Sequence, residues 1–429
     1  MQETNPGKPV ATVEWSTRLR RLNRVAILQL LCDRGPLSRV EIAKILQLNP
    51  STVTRIVHEL IEENWVLDRG NKGEGSAKGG RRPSLLEFNY RAALIIGLDL
   101  GGTKVAGAIV DLEGNILYRQ SFSSCLGRDG LESLVNLVQM LATVPCSPGQ
   151  EIKAIGIGVP GIVRSKEGVV VWAPSLGWRE LPLKRILEER VGIPTFVEND
   201  VNLRTLGEHW RGAGQGTHNL VCIFIGTGIG AGIIIGGELY RGANEAAGEV
   251  GYIIPDEKYL GKQYDEFGCL EHLAAGFGIA QRVRAAVQEG KGEAILKLTG
   301  GKLEEVSAEH VFTAARNGDL LAQQIVTDVL KYLAIAVANV ASILNPEMIV
   351  LSGEVVKSGG DLLLERIKKL VQGAVPVMPK IVLSRLGDEA GVLGAAALAL
   401  RSVEFLTLGD ITRGWAMTSR TQDSRVGSK

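Results

Sequence analysis

Apolar residues at Val53, Ile56, Val57, Leu60 and Ile61 recur at the spacing of one buried helix face. The other side of that segment carries Ser51, Thr52, Thr54, Arg55 and His58 near its N-terminal end. Asn49 followed by Pro50 predicts where this helix starts, because Asn caps the first amides and Pro has no N–H to lose. A shorter helix is predicted from Ser38 to about Leu46, opened by the capping box Ser38-Arg39-Val40-Glu41. Before it, Asn23 can cap a helix over residues 24–34 that Gly35-Pro36 stops. Two helices joined by Gln47-Leu48-Asn49, the second with short hydroxyls and a long cation at its exposed start, form a helix-turn-helix pattern suited to a major groove. Read alone, the same pattern also fits a plain three-helix bundle with a solvated face.

The period then changes. Val66 to Arg69 and Ser84 to Phe88 read as two short strands around a loop rich in Gly, Lys and Arg. This is the pattern of a β-hairpin wing. Arg81 and Arg82 at its tip can enter a narrow minor groove, where negative potential is enhanced. From Leu94 the chain reads strand, glycine loop, strand: Leu94 to Leu98, then Asp99-Leu100-Gly101-Gly102-Thr103-Lys104, then Val105 to Val110. A similar unit recurs with Val221 to Ile225, Gly226-Thr227-Gly228-Ile229-Gly230, and Ala231 to Ile235. Two such hairpins predict a duplicated body whose halves face one cleft.

Glycine loops of this kind present backbone amides to anions. Thr103 and Thr227 add hydroxyls, and Asp99 could hold Mg²⁺ through water. Neither loop is a Walker A sequence. Between them lies Glu198-Asn199-Asp200, after an apolar strand and before a helix running through Glu208. A carboxylate and an amide at a strand end can hold a polyol, and Asp200 could take a proton from a sugar hydroxyl. An ordinary helix N-cap explains the same residues.

Charge sharpens the division. Residues 1–91 contain 15 Lys and Arg against 10 Asp and Glu, and the remainder 33 against 37, so a basic N-terminal part sits on an acidic body. That fits local DNA contact better than general polyanion binding. The apolar share of 45% and charged share of 22% are those of an ordinary globular protein, and 53 glycines favour an α/β body. The cysteines, Cys32, Cys125, Cys146, Cys222 and Cys269, form no C-x-x-C pair, so a reducing compartment is expected. Met1 to Val13 has no apolar core and no long uninterrupted apolar run follows, so neither a signal peptide nor a membrane span is expected, and the cytoplasm is the expected location.

The segments Asp99 to Lys104, Gly158-Val159-Pro160-Gly161, Glu198-Asn199-Asp200, Gly226 to Gly230, Ala247 to Gly251 and Gly268-Cys269-Leu270-Glu271 together resemble the ROK family of repressors and sugar kinases. Leu344-Asn345-Pro346-Glu347 and Gly391 to Ala396 extend the resemblance over about residues 90–400. The N-terminal region resembles that of the family's repressors, among them the xylose and N-acetylglucosamine regulators. The resemblance implies a winged helix-turn-helix domain over residues 15–90. An α/β, two-lobed, actin-like (ribonuclease-H-like) sugar-kinase fold follows over 91–405, then a polar, partly disordered tail over 406–429. It implies sugar contacts from Asn199, Asp200, Glu249 and Glu271. It implies nucleotide contacts from Asp99, Gly101, Gly102, Thr103, Lys104, Gly226, Thr227, Gly228 and the Ser352-Gly353 segment. Asp200 aligns with the family's catalytic base.

Two departures stand out. The family's zinc motif needs a histidine where this chain has Tyr252 and three cysteines where it keeps only Cys269, so zinc is not expected. Cys269 then reads as a small buried apolar side chain, the segment from Asp256 to Gly268 must be ordered by packing, and Tyr252 takes the place of a sugar-facing histidine. Ser175 stands where the family often has Asn. The expected function is a sugar-responsive regulator, a repressor of carbohydrate-use genes that binds operator DNA as a dimer. Because Asp99, its loop and Asp200 are retained, a sugar kinase using Mg-ATP is the alternative.

Overall fold

The computed structural model describes residues 10–70, 84–101, 104–123, 130–144, 150–264 and 267–402. Arg81, Arg82, Gly102, Thr103 and the tail over 406–429 lie outside the described residues, as does the side chain of Lys104.

The N-terminal unit opens with α1 (Val10–Arg34), then β1 (Leu37–Ser38), α2 (Arg39–Leu46), α3 (Pro50–Glu62), β2 (Val66–Asp68) and β3 (Leu85–Phe88). The capping box at α2 forms, with the Ser38 hydroxyl accepting from the Glu41 amide at 3.3 Å and Glu41 accepting from the Ser38 amide at 2.8 Å. Asn49 caps α3 through the Ser51 amide at 3.0 Å. Val53, Ile56, Val57 and Leu60 are fully buried.

The expected start of α1 after Asn23 is corrected: the helix begins at Val10 and Asn23 lies inside it. Arg20 and Arg24 of α1 pair with Glu59 of α3 and with Glu63, its C-cap, at 2.6 and 2.8 Å, and these two arginines fall on either side of Asn23. They outweigh the weak local preference of Asn for a cap. A third strand was also missed. β1 pairs with β3 to give the order β1-β3-β2, and two residues are too few to show a period in sequence.

The first lobe comprises β4 (Leu94–Leu100), β5 (Lys104–Asp111), β6 (Ile116–Ser123), α4 (Gly130–Ala142) and β7 (Ile152–Val159). A small meander, β8 (Ile162–Arg164), β9 (Val169–Ala173) and β10 (Trp178–Leu181), precedes α5 (Leu183–Val191), β11 (Thr195–Asn199) and α6 (Asp200–Arg211). The second lobe begins with β12 (Leu220–Ile225), β13 (Ile229–Ile235) and β14 (Glu238–Leu239). A helical insertion follows, α7 (Cys269–Ala274), α8 (Gly276–Gln288), α9 (Glu293–Leu298), α10 (Ala308–Arg316) and α11 (Leu320–Leu344). Then come β15 (Met348–Ser352), α12 (Glu354–Val371), β16 (Lys380–Leu383) and α13 (Ala390–Ser402).

The duplication read from the two glycine loops is present in the sheets. One has the order β11-β7-β4-β5-β6 and the other β14-β13-β12-β15-β16. Each is an antiparallel three-strand meander whose first strand also pairs in parallel with a crossover strand. The glycine loops are the first turns of the two meanders.

By length and composition α11 could cross a membrane. Here Ile325, Val329, Leu333 and Val337 are buried in the second lobe's core, and Asp328 and Lys331 interrupt the apolar sequence.

Two helices join the lobes. α6 packs on β12 and β13 and also on β7, while α13 returns from the end of the chain to lie on α6, β4 and β7. The α6–α13 contact is backbone on backbone: a β-carbon at Gly394 would overlap the Leu203 carbonyl, and one at Gly207 would overlap that of Ala390. Gly394→Ala should therefore lower stability by about 2–3 kcal/mol, because overlap with backbone cannot be relieved by a rotamer change. Urea unfolding midpoints would measure it, and an unchanged midpoint would rule out this close packing.

Candidate functional site: a cleft anchored on one helix

The strand-to-helix turn at Asn199-Asp200 forms one wall of the cleft. Asn199 is the N-cap of α6, its side-chain oxygen accepting from the Val201 and Asn202 amides at 2.9 and 3.0 Å. Its amide nitrogen donates to the Gly161 carbonyl at 3.0 Å and to Asp200 at 3.3 Å. The capping explanation is thus true of Asn199. It also fixes the position of Asp200, the first residue of α6. Burial raises the Asp200 carboxyl to about 6, with the Asp99 charge adding to the rise and Arg204 opposing it.

Arg204 was not singled out in the sequence. It lies one helical turn beyond Asp200, on the same face of α6. Its guanidinium meets Asp99 Oδ2 at 2.6 Å, with Arg204 and Asp99 side chains only 16% and 6% exposed. It also stacks over the Phe224 ring, 4.7 Å from the centroid. The Phe224 ring lies beside Gly226, where it would be the nearest neighbour of an added β-carbon. Arg204 and Phe224 therefore link Asp99, near the end of β4, to Gly226 of the second glycine loop. The carboxylate expected to hold Mg²⁺ has this cation against it, so the described residues do not fit the metal of Mg-ATP.

The second loop is tied down from within. The Gly226 amide donates to the Gly228 carbonyl at 2.9 Å, and the Gly226 carbonyl accepts from Gly276 at 2.8 Å. Thr227 is exposed, and its carbonyl accepts from the Phe277 amide at 3.3 Å. Gly353 has φ of 99° and lies against the Ile225 backbone, where no side chain would fit. Gly101 ends the described part of the first loop.

Glu249, Tyr252 and Glu271 come together beside the second glycine loop. Burial and then the neighbouring Glu271 raise the carboxyl of Glu249, and burial with both carboxylates raises the phenol of Tyr252. Tyr252 is 58% exposed. Glu271 accepts from the amides of Ile229 at 2.8 Å and Gly268 at 2.6 Å, so it also braces the second glycine loop. The buried Glu198, which the sequence showed only as part of its motif, connects the two lobes. It accepts from Arg241 at 2.7 Å and from Asn202 and the Asn199 amide at 3.0 and 2.9 Å. Arg241 leads into the loop carrying Glu249.

Where the zinc motif would lie, aromatic packing orders the segment. Tyr264 donates to Cys269 Sγ at 3.3 Å and packs on His272 at 4.8 Å, while Phe267 stacks on Phe277 at 4.5 Å. Cys269 is buried, as expected.

On the other unit, Ser51, Thr54, Arg55 and His58 are exposed on one face of α3 and Thr52 is half-buried. Ser51 donates to Asn49 at 2.8 Å, Thr54 to the Pro50 carbonyl at 2.8 Å, and His58 lies 3.4 Å from Glu62.

Two lobes of one sheet topology preceded by a winged helix-turn-helix define a DNA-binding protein built on a sugar-kinase fold. The chain belongs to the ROK family, which its residues 95–402 match, while residues 22–70 match the MarR family. It is 36% identical over 392 residues to a putative xylose repressor of Caldicellulosiruptor sp., covering 89% of this chain and 96% of that one. A solved ROK family transcriptional regulator, homolog of the E. coli MLC protein, superposes with a TM-score of 0.74 at 27% identity, covering 93% of this chain and 98% of the other. A ROK family glucokinase from Streptomyces griseus, solved with glucose and AMPPNP, gives 0.59 at 35% identity over 71% of this chain and 99% of its own.

A carboxyl held above its usual value binds its proton more tightly in the folded state. Its favourable contribution is complete below the ordinary value near 3.8 and is lost as pH rises through about 6. Asp200→Asn should therefore stabilise the protein most above about pH 7, by on the order of 1–2 kcal/mol, with the gain shrinking toward about pH 4. Urea midpoints across this range test it, and a difference independent of pH would contradict the assignment.

Proposed function

We propose that the chain is a sugar-responsive repressor whose operator affinity is set by a sugar in the cleft at Asn199, Asp200, Glu249, Tyr252 and Glu271. The observation that carries this reading is the course of α6. It starts at Asp200 and ends, after 12 residues, at Arg211 beside the β5–β6 turn of the first lobe, which is bonded through Leu112 to Tyr90 at the edge of the DNA-binding unit. At about 1.5 Å per residue it spans roughly 18 Å. At its far end Trp210 and Arg211 press on Gly114, and the Arg211 charge interacts with Glu113, Tyr90 and Asp111. Tyr90 accepts from the Leu112 amide at 2.9 Å and packs edge-on against Phe88 of β3 at 4.9 Å. A shift of α6 on sugar binding is thereby delivered to the strand that carries the wing.

Ser51, Thr52, Thr54, Arg55 and His58 would face the major groove, with Arg81 and Arg82 at the minor groove. The protein would act as a cytoplasmic dimer, since helix-turn-helix proteins read paired half-sites. The sugar acts by binding one DNA-affinity state more tightly, and a tenfold change in operator affinity needs about 1.4 kcal/mol of difference. The similarity to repressors along nearly the whole chain supports this reading. A sugar kinase is the alternative, favoured by an Asp200 carboxyl poised near 6 to accept a hydroxyl proton.

The test is operator binding by gel shift on the promoter of its own gene, with a panel of pentoses, hexoses and amino sugars. One sugar should change the affinity, and Arg55→Ala should weaken binding on all sequences while lowering the salt slope by about 1. No sugar-sensitive shift would sink the repressor reading. Sugar-dependent ATP turnover abolished by Asp200→Asn would establish the kinase instead.

A further inference from the structure

The two glycine loops would grip a polyphosphate between them if this cleft took a nucleotide, and a divalent cation at Asp99 would neutralise it. Beside Asp99 there is already a cation. Arg204 is paired with Asp99 at 2.6 Å, its charge also acts on Asp200, and Phe224 supports it from the side of Gly226. The guanidinium neutralises Asp99 directly and offsets part of the Asp200 charge. A second, divalent positive charge would meet the guanidinium at close range in a site largely closed to water, where repulsion is weakly screened. The Phe224 ring adds an apolar surface where phosphate oxygens would need donors.

We propose that Arg204 is a built-in counterion that takes the place of a divalent metal beside Asp99, so that the sugar is bound without Mg-nucleotide. Arg204 is then a specificity-determining residue: it separates sugar sensing from phosphoryl transfer within one cleft. This rests on reading the cleft as a sugar site.

The experiment uses the full-length protein with Mn²⁺ and AMPPNP as probes, followed by Mn²⁺ electron paramagnetic resonance and by thermal shift. Wild type should bind neither at Asp99 and show no Mn-AMPPNP-dependent shift. Arg204→Ala, which exposes two carboxylates, should gain Mn²⁺ affinity by roughly tenfold or more. Arg204→Lys keeps the charge and should remain unresponsive. Adding Asp99→Asn to Arg204→Ala should remove the gained site. Mn-AMPPNP binding by wild type overturns the proposal without any variant, as does a folded Arg204→Ala protein that gains no metal. Sugar binding without nucleotide, measured on the same wild-type samples, separates the two ideas. Its absence would refute the sugar site, whereas nucleotide binding beside intact sugar binding would refute only the counterion.

Discussion

The structure depends on α6 being held from both sides at van der Waals distance. The α6–α13 packing leaves no room for a side chain at Gly207 or Gly394, and Thr205 and Val201 face the glycines of β13. A helix packed on backbone cannot tilt by rotamer adjustment; it moves as a rigid piece or not at all. Its N-terminus presents Asp200 to the cleft and its C-terminus carries Trp210 and Arg211 to Gly114. The glycines that fix α6 would thus let a shift at Asp200 reach the Gly114 turn without being absorbed by side chains.

Electrostatics divides the cleft. Burial and the neighbouring Glu271 charge raise the Glu249 carboxyl, and two carboxylates side by side would suit a neutral, hydroxyl-bearing ligand that donates hydrogen bonds. On the other side, the Arg204–Asp99 pair is buried, and removing either member of such a pair typically costs about 3–5 kcal/mol. That is enough to keep the arginine in place unless a ligand compensates. The same fold that can transfer phosphate is therefore consistent, in this chain, with a cleft specialised for recognition.

Much of this was legible in the sequence. The helix-turn-helix was readable because caps, Pro50 and a strict apolar stripe agree over α2 and α3. The duplicated lobes were readable because both glycine loops sit between apolar strands. What escaped has physical causes. The early start of α1 depends on ion pairs to α3, which local propensity does not contain. β1 is too short to have a period. Arg204 and Phe224 look like an ordinary helix cation and an ordinary strand residue, and only the fold brings them together beside Asp99 and Gly226. The one signal available was the four-residue spacing from Asp200 to Arg204. Glu198 was seen as part of a motif, yet its pairing with Arg241 across the lobes needed the tertiary structure. Tyr252 and the lone Cys269 mark where the sequence departs from the family pattern, and Tyr264 packs against His272 in that region.

The central claim is that one helix couples the sugar cleft to the DNA-binding unit, and linkage tests it most directly. Sugar affinity should be measured by calorimetry with and without saturating operator DNA, and operator affinity with and without saturating sugar. The two fold-changes must be equal, because coupling free energy is reciprocal. In Trp210→Ala both should fall toward unity while sugar affinity without DNA stays close to wild type. Sugar affinity that is the same with and without operator DNA would contradict the account.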